Sequence, residues 1–590
     1  MIARMRSWAA TVAAAALGCA LLLLLPDLLI VRERRFYRER LPDVFSKWEL
    51  NGRYTVFSLD SDITTYPARA AETARKGWPY DPHIRENRSG RLDTADTLSF
   101  LLLGGLTNLL GDVDRAWLAA RALGGAAWVL LFYWLALLAS SNRRFSLACA
   151  VGVTLFNDVL DMMQYDVLGW PREFALRVAW VLGPHWFPFG VSRVPRPAVS
   201  YPILFAALGL ALLASKTKKA APLAAGAALG GLLAYVHSDV FSMYAGAMAL
   251  WVLQQTYVGK RFDPRWAVSG AISIVLALPW VLHNVPLDPD TLLSYWITHT
   301  RRPDLNGLWA FGLAFWCWRA APKNEAMSLT GAALAAAGLA METQLVTGYT
   351  MFHSFIWHNV GLVFAVLAVA GLAGRKLPDR RDWVWLAACF MLAAAGRSVS
   401  YAAQRAPHQG MRADMQAALA FLDANTEPDS VVAALGSFDT QLIPAYAHNK
   451  TLLNSGFAIV SDLPLKEELR RLLRALELFG VPEAAYWKAL AEHERADPNE
   501  DLWHGRPSWA DFDWRAGPFP YAAPREQLLA RYRELSPLSP AREARADYLW
   551  VGPFERELLT PPQLAKLGKP LFTSGAFAIY IPVSAIPGFQ

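Results

Sequence analysis

Of 590 residues, 54% are hydrophobic and only 18% charged, which excludes an ordinary soluble enzyme and points to a chain held in a bilayer. The 57 basic against 50 acidic residues leave +7, a balance suited to anionic lipid headgroups. The basic residues stand in short separated clusters, so a continuous nucleic-acid-binding face is excluded. Cys19, Cys149, Cys317 and Cys389 all fall in apolar runs, where they neither staple an external domain nor show zinc-site spacing.

The first apolar run, 8–31, is longer than a signal core and no small-residue cleavage site precedes Arg32; it is read as a retained anchor. Further spans are expected near 115–139, 145–163, 199–215, 220–237, 238–257, 266–283, 305–320, 326–346, 352–373 and 383–397, about eleven in all. Basic clusters at Arg143 and Arg144, at Lys216, Lys218 and Lys219, and at Lys260, Arg261 and Arg265 share one side. Arg319, Lys323, Arg375, Lys376, Arg380 and Arg381 join them, so that side is expected to be cytoplasmic. The N-terminus then lies inside and the segment after the last span outside, with 164–198 as one external excursion. Arg32, Arg34, Arg35, Arg38 and Arg40 run against this charge rule and are expected along the interface.

Between spans one and two lies a long external loop, 32–114. Its centre is Asp60-Ser61-Asp62-Ile63-Thr64-Thr65-Tyr66-Pro67-Ala68-Arg69, followed by a helix-like run closing at Gly77. An acid at the wet rim of an apolar bundle can take a proton from a hydroxyl or hold a metal ion. Proline suits a helix's first turn, so Pro67 places the helix start nearby and Asp62 ahead of it. Residues 78–87 read as an ordered proline-aromatic loop in which His83 and Glu86 are candidate site residues. Residues 97–110 are apolar but too short to span and are expected as an interfacial or re-entrant helix before Gly111-Asp112.

This loop resembles the first external loop of the GT-C glycosyltransferases: an aspartate after span one, then a tyrosine, a basic residue and a closing glycine (Asp62, Tyr66, Arg69, Gly77). That superfamily includes protein mannosyltransferases, lipid A aminoarabinose transferases and oligosaccharyltransferase catalytic subunits. The resemblance implies an α-helical polytopic membrane fold with an external tail. It also implies a sugar donor on a polyprenyl phosphate or diphosphate and an acceptor hydroxyl on a glycan, lipid or protein. Asp62 becomes the expected general base and Asp60 its reserve. Tyr66 and Arg69 become expected substrate contacts, and cations are expected at the departing lipid phosphate.

Ionisable residues gather near one end of the spans. At ~1.5 Å per helical residue, Asp158 lies at roughly 20 Å from the cytoplasmic end, and His237, His283 and Glu342 at roughly 24–26 Å, in a core ~30 Å thick. Asp27, Asp161, His353 and His358 belong to the same outer level, and together they imply a wet cavity opening outward. Asp158, Asp161, Asp166, His237 and Glu342 are therefore candidate acceptor contacts, the three aspartates also possible metal ligands. Whether a divalent metal takes part is left open. In 164–198, Arg193 and Arg196 offer planar forks to phosphate oxygens, and Arg301 and Arg302 are similar candidates before span eight. An ion-coupled transporter needs ionisable groups near the midplane and broken helices at matching positions in two halves; here the midplane has almost none, and the sequence shows no internal repeat. A lipid or polysaccharide transporter and a non-catalytic scaffold remain the rival readings.

From about Arg397 the composition becomes that of a soluble protein. The division is 1–397 for the membrane unit and 398–590 for an external α/β unit, large enough for its own core. Residues 411–426, 464–495 and 525–536 show helical periodicity; 431–435, 547–551 and 576–581 read as strands. No G-x-G-x-x-G, P-loop or G-x-S-x-G motif is present, so the expected task is covering the cavity or binding acceptor.

Overall fold

The computed structural model of the protein describes residues 2–48, 50–56, 61–86, 96–160, 189, 191, 193–194, 196–284, 298–299, 307–342, 345–346, 349–350, 354–453, 465–486, 488–489 and 539–582. The backbone alone is described for residues 2–6, 61–65, 158–160, 238, 283–284, 354–359, 437–438, 465–466 and 468–469 within their helices and for 298–299 and 349–350 in their strands.

The membrane unit begins with α1 (Ile2–Arg40), which outruns the expected span and carries its last turns into the loop, where α2 (Pro42–Phe45) follows. Then come α3 (Ser61–Lys76), α4 (Thr97–Leu110), α5 (Val113–Ser140), α6 (Arg143–Leu160), α7 (Ser200–Thr217) and α8 (Ala220–Leu232). They are followed by α9 (Ser238–Gly259), α10 (Arg265–Asn284), α11 (Leu308–Ala320), α12 (Glu325–Met341), α13 (Ser354–Gly374) and α14 (Asp382–Arg405). Each run expected to span falls on one of these helices. Among the described residues, five helices, Ser7–Arg40, Val113–Ser140, Ser200–Thr217, Arg265–Leu282 and Asp382–Arg405, are long and apolar enough to cross a membrane. Thr97–Leu110, Ala220–Tyr235, Glu325–Met341 and Val360–Gly374 are shorter apolar helices. The chain is an integral membrane protein.

Small residues let the helices approach closely, as membrane packing requires. A Cβ on Gly124 would lie 2.3 Å from the Ala198 carbonyl oxygen, and one on Gly231 2.7 Å from that of Ser273. Polar side chains set the turns: Asp112 caps α5 by accepting from Asp114 and Arg115 backbone N–H groups. Asn324 caps α12 in the same way and donates to the Ala139 carbonyl at 3.1 Å.

Two expectations about charge are corrected here. Arg34 does not lie along the interface: it is buried and donates to the backbone carbonyls of Leu50, Gly52 and Ala406. The five-arginine run is therefore partly a device for fastening α1 to the loop and to the end of α14. Asp27, assigned to the wet outer level, is buried in an ion pair with Arg121 at 2.9 Å and accepts from Tyr54.

The C-terminal residues form a five-stranded sheet, order β4-β3-β5-β7-β6, from β3 (Val431–Ala433), β4 (Lys450–Thr451), β5 (Tyr548–Val551), β6 (Phe572–Ser574) and β7 (Phe577–Tyr580). A separate two-stranded ladder joins β1 (Thr298–His299) to β2 (Tyr349–Thr350). β3 pairs parallel with β4 and β5, and β7 pairs antiparallel with β5 and β6. Both faces are covered. Val431, Ala433, Leu549 and Val551 pack with Leu472, Leu476 and Phe479 of α17 (Leu465–Phe479). Val432, Ala434, Trp550 and Ile579 pack with Met415 and Leu419 of α15 (Ala413–Asn425) and Ile443 of α16 (Ser437–Tyr446). Double burial explains why Val431-Val432-Ala433-Ala434-Leu435 is apolar throughout instead of alternating. The helical reading of 525–536 lies outside the described residues.

At the carboxyl ends of parallel β3 and β5, where open α/β sheets commonly take a ligand, the chain fills the crevice itself. The Glu555 carboxylate accepts from the backbone N–H groups of Leu435 at 2.6 Å, Gly436 at 2.9 Å and Gly552 at 2.9 Å. Those donors are the ones an external phosphate would need.

Candidate functional site at the rim of the first loop

α3 is the element around which the site is built. Its helix begins at Ser61, with Pro67 in its interior, so Asp62 rides on the helix and does not precede it. This corrects the expectation drawn from Pro67. A single interior proline removes one ladder hydrogen bond, and burial of the middle turns against α4 offsets that loss. Positions 62, 66, 69 and 73 therefore share one face. The helix ends where expected, at Gly77, whose φ of 73° favours glycine and whose N–H donates to the Thr73 carbonyl at 2.8 Å.

Tyr66, Arg69 and Thr73 of that face are pressed against α4. A Cβ on Gly104 would come within 2.6 Å of Thr73 Cγ2. The Tyr66 ring lies 5.7 Å from that of Phe100, and the fully buried Arg69 guanidinium stands 5.5 Å from the same ring. Ser99 donates to the Val236 carbonyl at 3.1 Å, which brings the head of α4 to the head of α9. Two acids missing from the sequence-based candidates meet there, Asp96 and Asp239. Arg196 Nη1 lies 3.5 Å from Asp239 Oδ2, and His237 Nδ1 3.4 Å from the same oxygen. Tyr66 feels the charges of Asp96, Arg196, Asp239 and Arg69, and burial with the two acids pushes its hydroxyl well above the usual range.

Asp96 is the most strained member electrostatically. It stands at the N-cap position of α4 but makes no capping hydrogen bond, and its Oδ1 is buried with no partner. Burial first, and repulsion from Asp239 second, push its carboxyl up to about 7, against the pull of Arg69 and Arg196. A capping aspartate ahead of an apolar run is so common a helix start that local reading assigns it no further part. Its failure to cap is visible only in three dimensions.

The other candidates divide. Tyr66, Arg69, Arg196 and His237 join the rim cluster. His83 and Glu86 belong instead to the seam with the C-terminal segment. His83 is buried, its Nδ1 3.2 Å from Thr451 Oγ1, and burial pushes its imidazole down to about 4. Glu86 pairs with Arg471 at 3.1 Å. Glu342 caps the end of α12, with its Oε1 at the closely approaching Gly307. Arg193 lies beside Arg196 on the same short turn and accepts from the Ala198 N–H at 3.1 Å through its carbonyl. Asp60, Asp161, Asp166, Arg301 and Arg302, with the spanning-level His353, lie outside the described residues, as do the side chains of Asp62, Asp158, His283 and His358. Among the described residues no three metal-type side chains converge.

No family model and no curated protein matches this chain. Solved structures do. The crystal structure of ArnT from Cupriavidus metallidurans bound to undecaprenyl phosphate aligns at 11% identity over 96% of this chain and 98% of its own, with a TM-score of 0.43. The same protein in the apo state aligns at 13% identity over 70% and 83%, with a TM-score of 0.39. Both are of the GT-C kind that the first external loop resembles. At such TM-scores the likeness assigns neither an activity nor a residue, and the site has to be read from its own chemistry.

Proposed function

We propose that this chain is a membrane glycosyltransferase that moves a sugar from a polyprenyl-phosphate carrier to an acceptor hydroxyl at the outer rim of the bundle. What supports this reading is α3, whose backbone carries positions 62, 66 and 69 at helical spacing, with Tyr66 and Arg69 beside a buried acid-arginine cluster at the head of α4 and α9. Asp62 takes the proton of the acceptor hydroxyl, whose oxygen attacks the anomeric carbon as the bond to the lipid phosphate breaks. Asp60 is the reserve base. Arg193 and Arg196, with Arg301 and Arg302, take up the charge of the departing phosphate. A single base suffices for inversion, since no covalent intermediate forms. Tyr66 and Arg69 are the substrate contacts on α3, helped by Asp158, Asp161, Asp166, His237 and Glu342.

The topology that goes with this reading has eleven crossings, a cytoplasmic N-terminus and residues 398–590 as an external α/β domain over the cavity. Asp62→Asn, in the full-length protein in lipid nanodiscs with a polyprenyl-phosphate-linked sugar, should lower transfer by roughly 10²–10⁴-fold while leaving the thermal midpoint unchanged. Full transfer in that variant removes Asp62 from the mechanism. Transport of lipid without sugar transfer would favour the transporter reading instead.

A further inference from the structure

Two different parts of the molecule hold α3. It meets α4 along one face from Tyr66 to Thr73, and its second half is also built into the C-terminal segment, through α16 and the Glu72–Lys450 bond to β4. Arg75 donates to the Ala447 and Pro444 carbonyls, each at 2.8 Å. Lys76 pairs with Asp429 at 2.7 Å. The free edge of the sheet is closed by the loop after α3, since the Thr451 N–H donates to the His83 carbonyl at 2.8 Å.

At the centre stands a buried pair. Glu72 and Lys450 are 1% and 3% exposed in their side chains and 2.6 Å apart. Lys450 Nζ makes a second short bond, 2.6 Å, to the Asp81 carbonyl. One ammonium thus fixes both α3 and the following loop. The charged side chains of the cleft beside it are matched among themselves: Lys76 lies 2.9 Å from Glu72 and also holds Asp429, while Arg85 pairs with Asp547 at 2.9 Å. Tethering alone would be served by exposed pairs of that kind. Burying an ion pair costs desolvation on both partners and yields a fixed geometry in return.

We infer that Lys450 is a positioning residue for transfer: the C-terminal segment, through the Lys450–Glu72 bond, sets where α3 lies and so where the Asp62, Tyr66 and Arg69 face meets the rim. This rests on the role given to Asp62 above. The segment is then part of the catalytic assembly and more than a cover over a cavity.

Lys450→Met is a clean probe, because Glu72 keeps Lys76 and Arg75 of its own helix, the latter at 3.4 Å, and is not left as an uncompensated charge. Hydrogen exchange on the full-length protein in nanodiscs should show amides 66–76 exchanging about tenfold faster, with α1 and α5 unchanged. With a polyprenyl-phosphate-linked sugar, kcat should fall roughly ten- to a hundredfold while KM for the donor stays within about twofold. Lys450→Arg, which retains charge and donors, should recover most of both. Glu72→Gln, which keeps an acceptor for Lys450, covers the case in which Lys450→Met does not fold, and should loosen α3 to a smaller degree. Unchanged exchange in α3, or an unchanged kcat alongside an inactive Asp62→Asn, overturns the inference. An inert wild type overturns the transferase reading instead, and exchange still decides the clamp.

Discussion

Two buried carboxylates flank the two ends of α3 and are treated in opposite ways. Glu72 is surrounded by Lys450, Lys76 and Arg75 within 3.4 Å. Asp96 has an oxygen with no hydrogen-bond partner, a second acid close by and a carboxyl pushed up to about 7. Native folds pair nearly all their buried polar groups, so a fully matched carboxylate reads as structure and a mismatched one as function. The same helix is anchored at one end and left electrostatically tense at the other.

The sharpest way to break the comparison is Glu72→Ala. It leaves Lys450 buried without its anion and should cost about 3–5 kcal/mol, read as a lowered denaturant midpoint. A loss below about 1 kcal/mol would mean that the clamp is not what holds the seam. Asp96→Asn tests the opposite end. Removing a strained negative charge should leave stability unchanged or raised, yet lower sugar transfer by roughly tenfold or more. Because its carboxyl titrates near 7, the wild-type rate should show an inflection there that the variant lacks; identical pH profiles would assign Asp96 a structural part.

Gly104→Ala probes the packing of α4 on α3. A methyl group there must displace Thr73, and overpacking of this kind costs typically 1–3 kcal/mol, visible in the thermal midpoint. A neutral result would show that α3 and α4 can separate freely.

The smallest effect is expected at the C-terminal sheet, at Asp439, buried beside Glu555 and bonded to Trp550 Nε1 at 2.9 Å. Burial, then repulsion from Glu555, push its carboxyl up to about 8. A raised carboxyl favours the protonated folded form, so its contribution is fully present below about 3.8 and is lost as pH rises through about 8. The C-terminal unit should melt a few degrees lower at pH 8 than at pH 5, and Asp439→Asn should flatten that slope. An unchanged slope in the variant would place the proton elsewhere.

Much of the fold was legible because it rests on local patterns. Apolar runs marked all five helices that, among the described residues, are long and apolar enough to cross a membrane, Gly77 and Gly111 marked helix ends, and contiguous apolar residues marked β3. The short β4 and β6 were missed, since two or three residues carry no measurable periodicity. α16 was missed because Pro444 and a short length mask its pattern. Pro67 misled for a related reason: local propensity argued for a first turn, and packing against α4 overrode it.

The sequence by itself determined that this is an apolar helical bundle followed by a segment of mixed composition, and that Tyr66 and Arg69 share a helix closing at Gly77; that Asp62 rides on the same helix was decided by the fold. Only the tertiary structure decided which charges meet. Lys450 and Glu72 are 378 residues apart, and Asp96 comes together with Asp239 and Arg196 from three separate segments. Hydropathy and propensity score a residue against its chain neighbours, whereas the energy of a buried charge is set by whatever the fold places within a few ångströms of it.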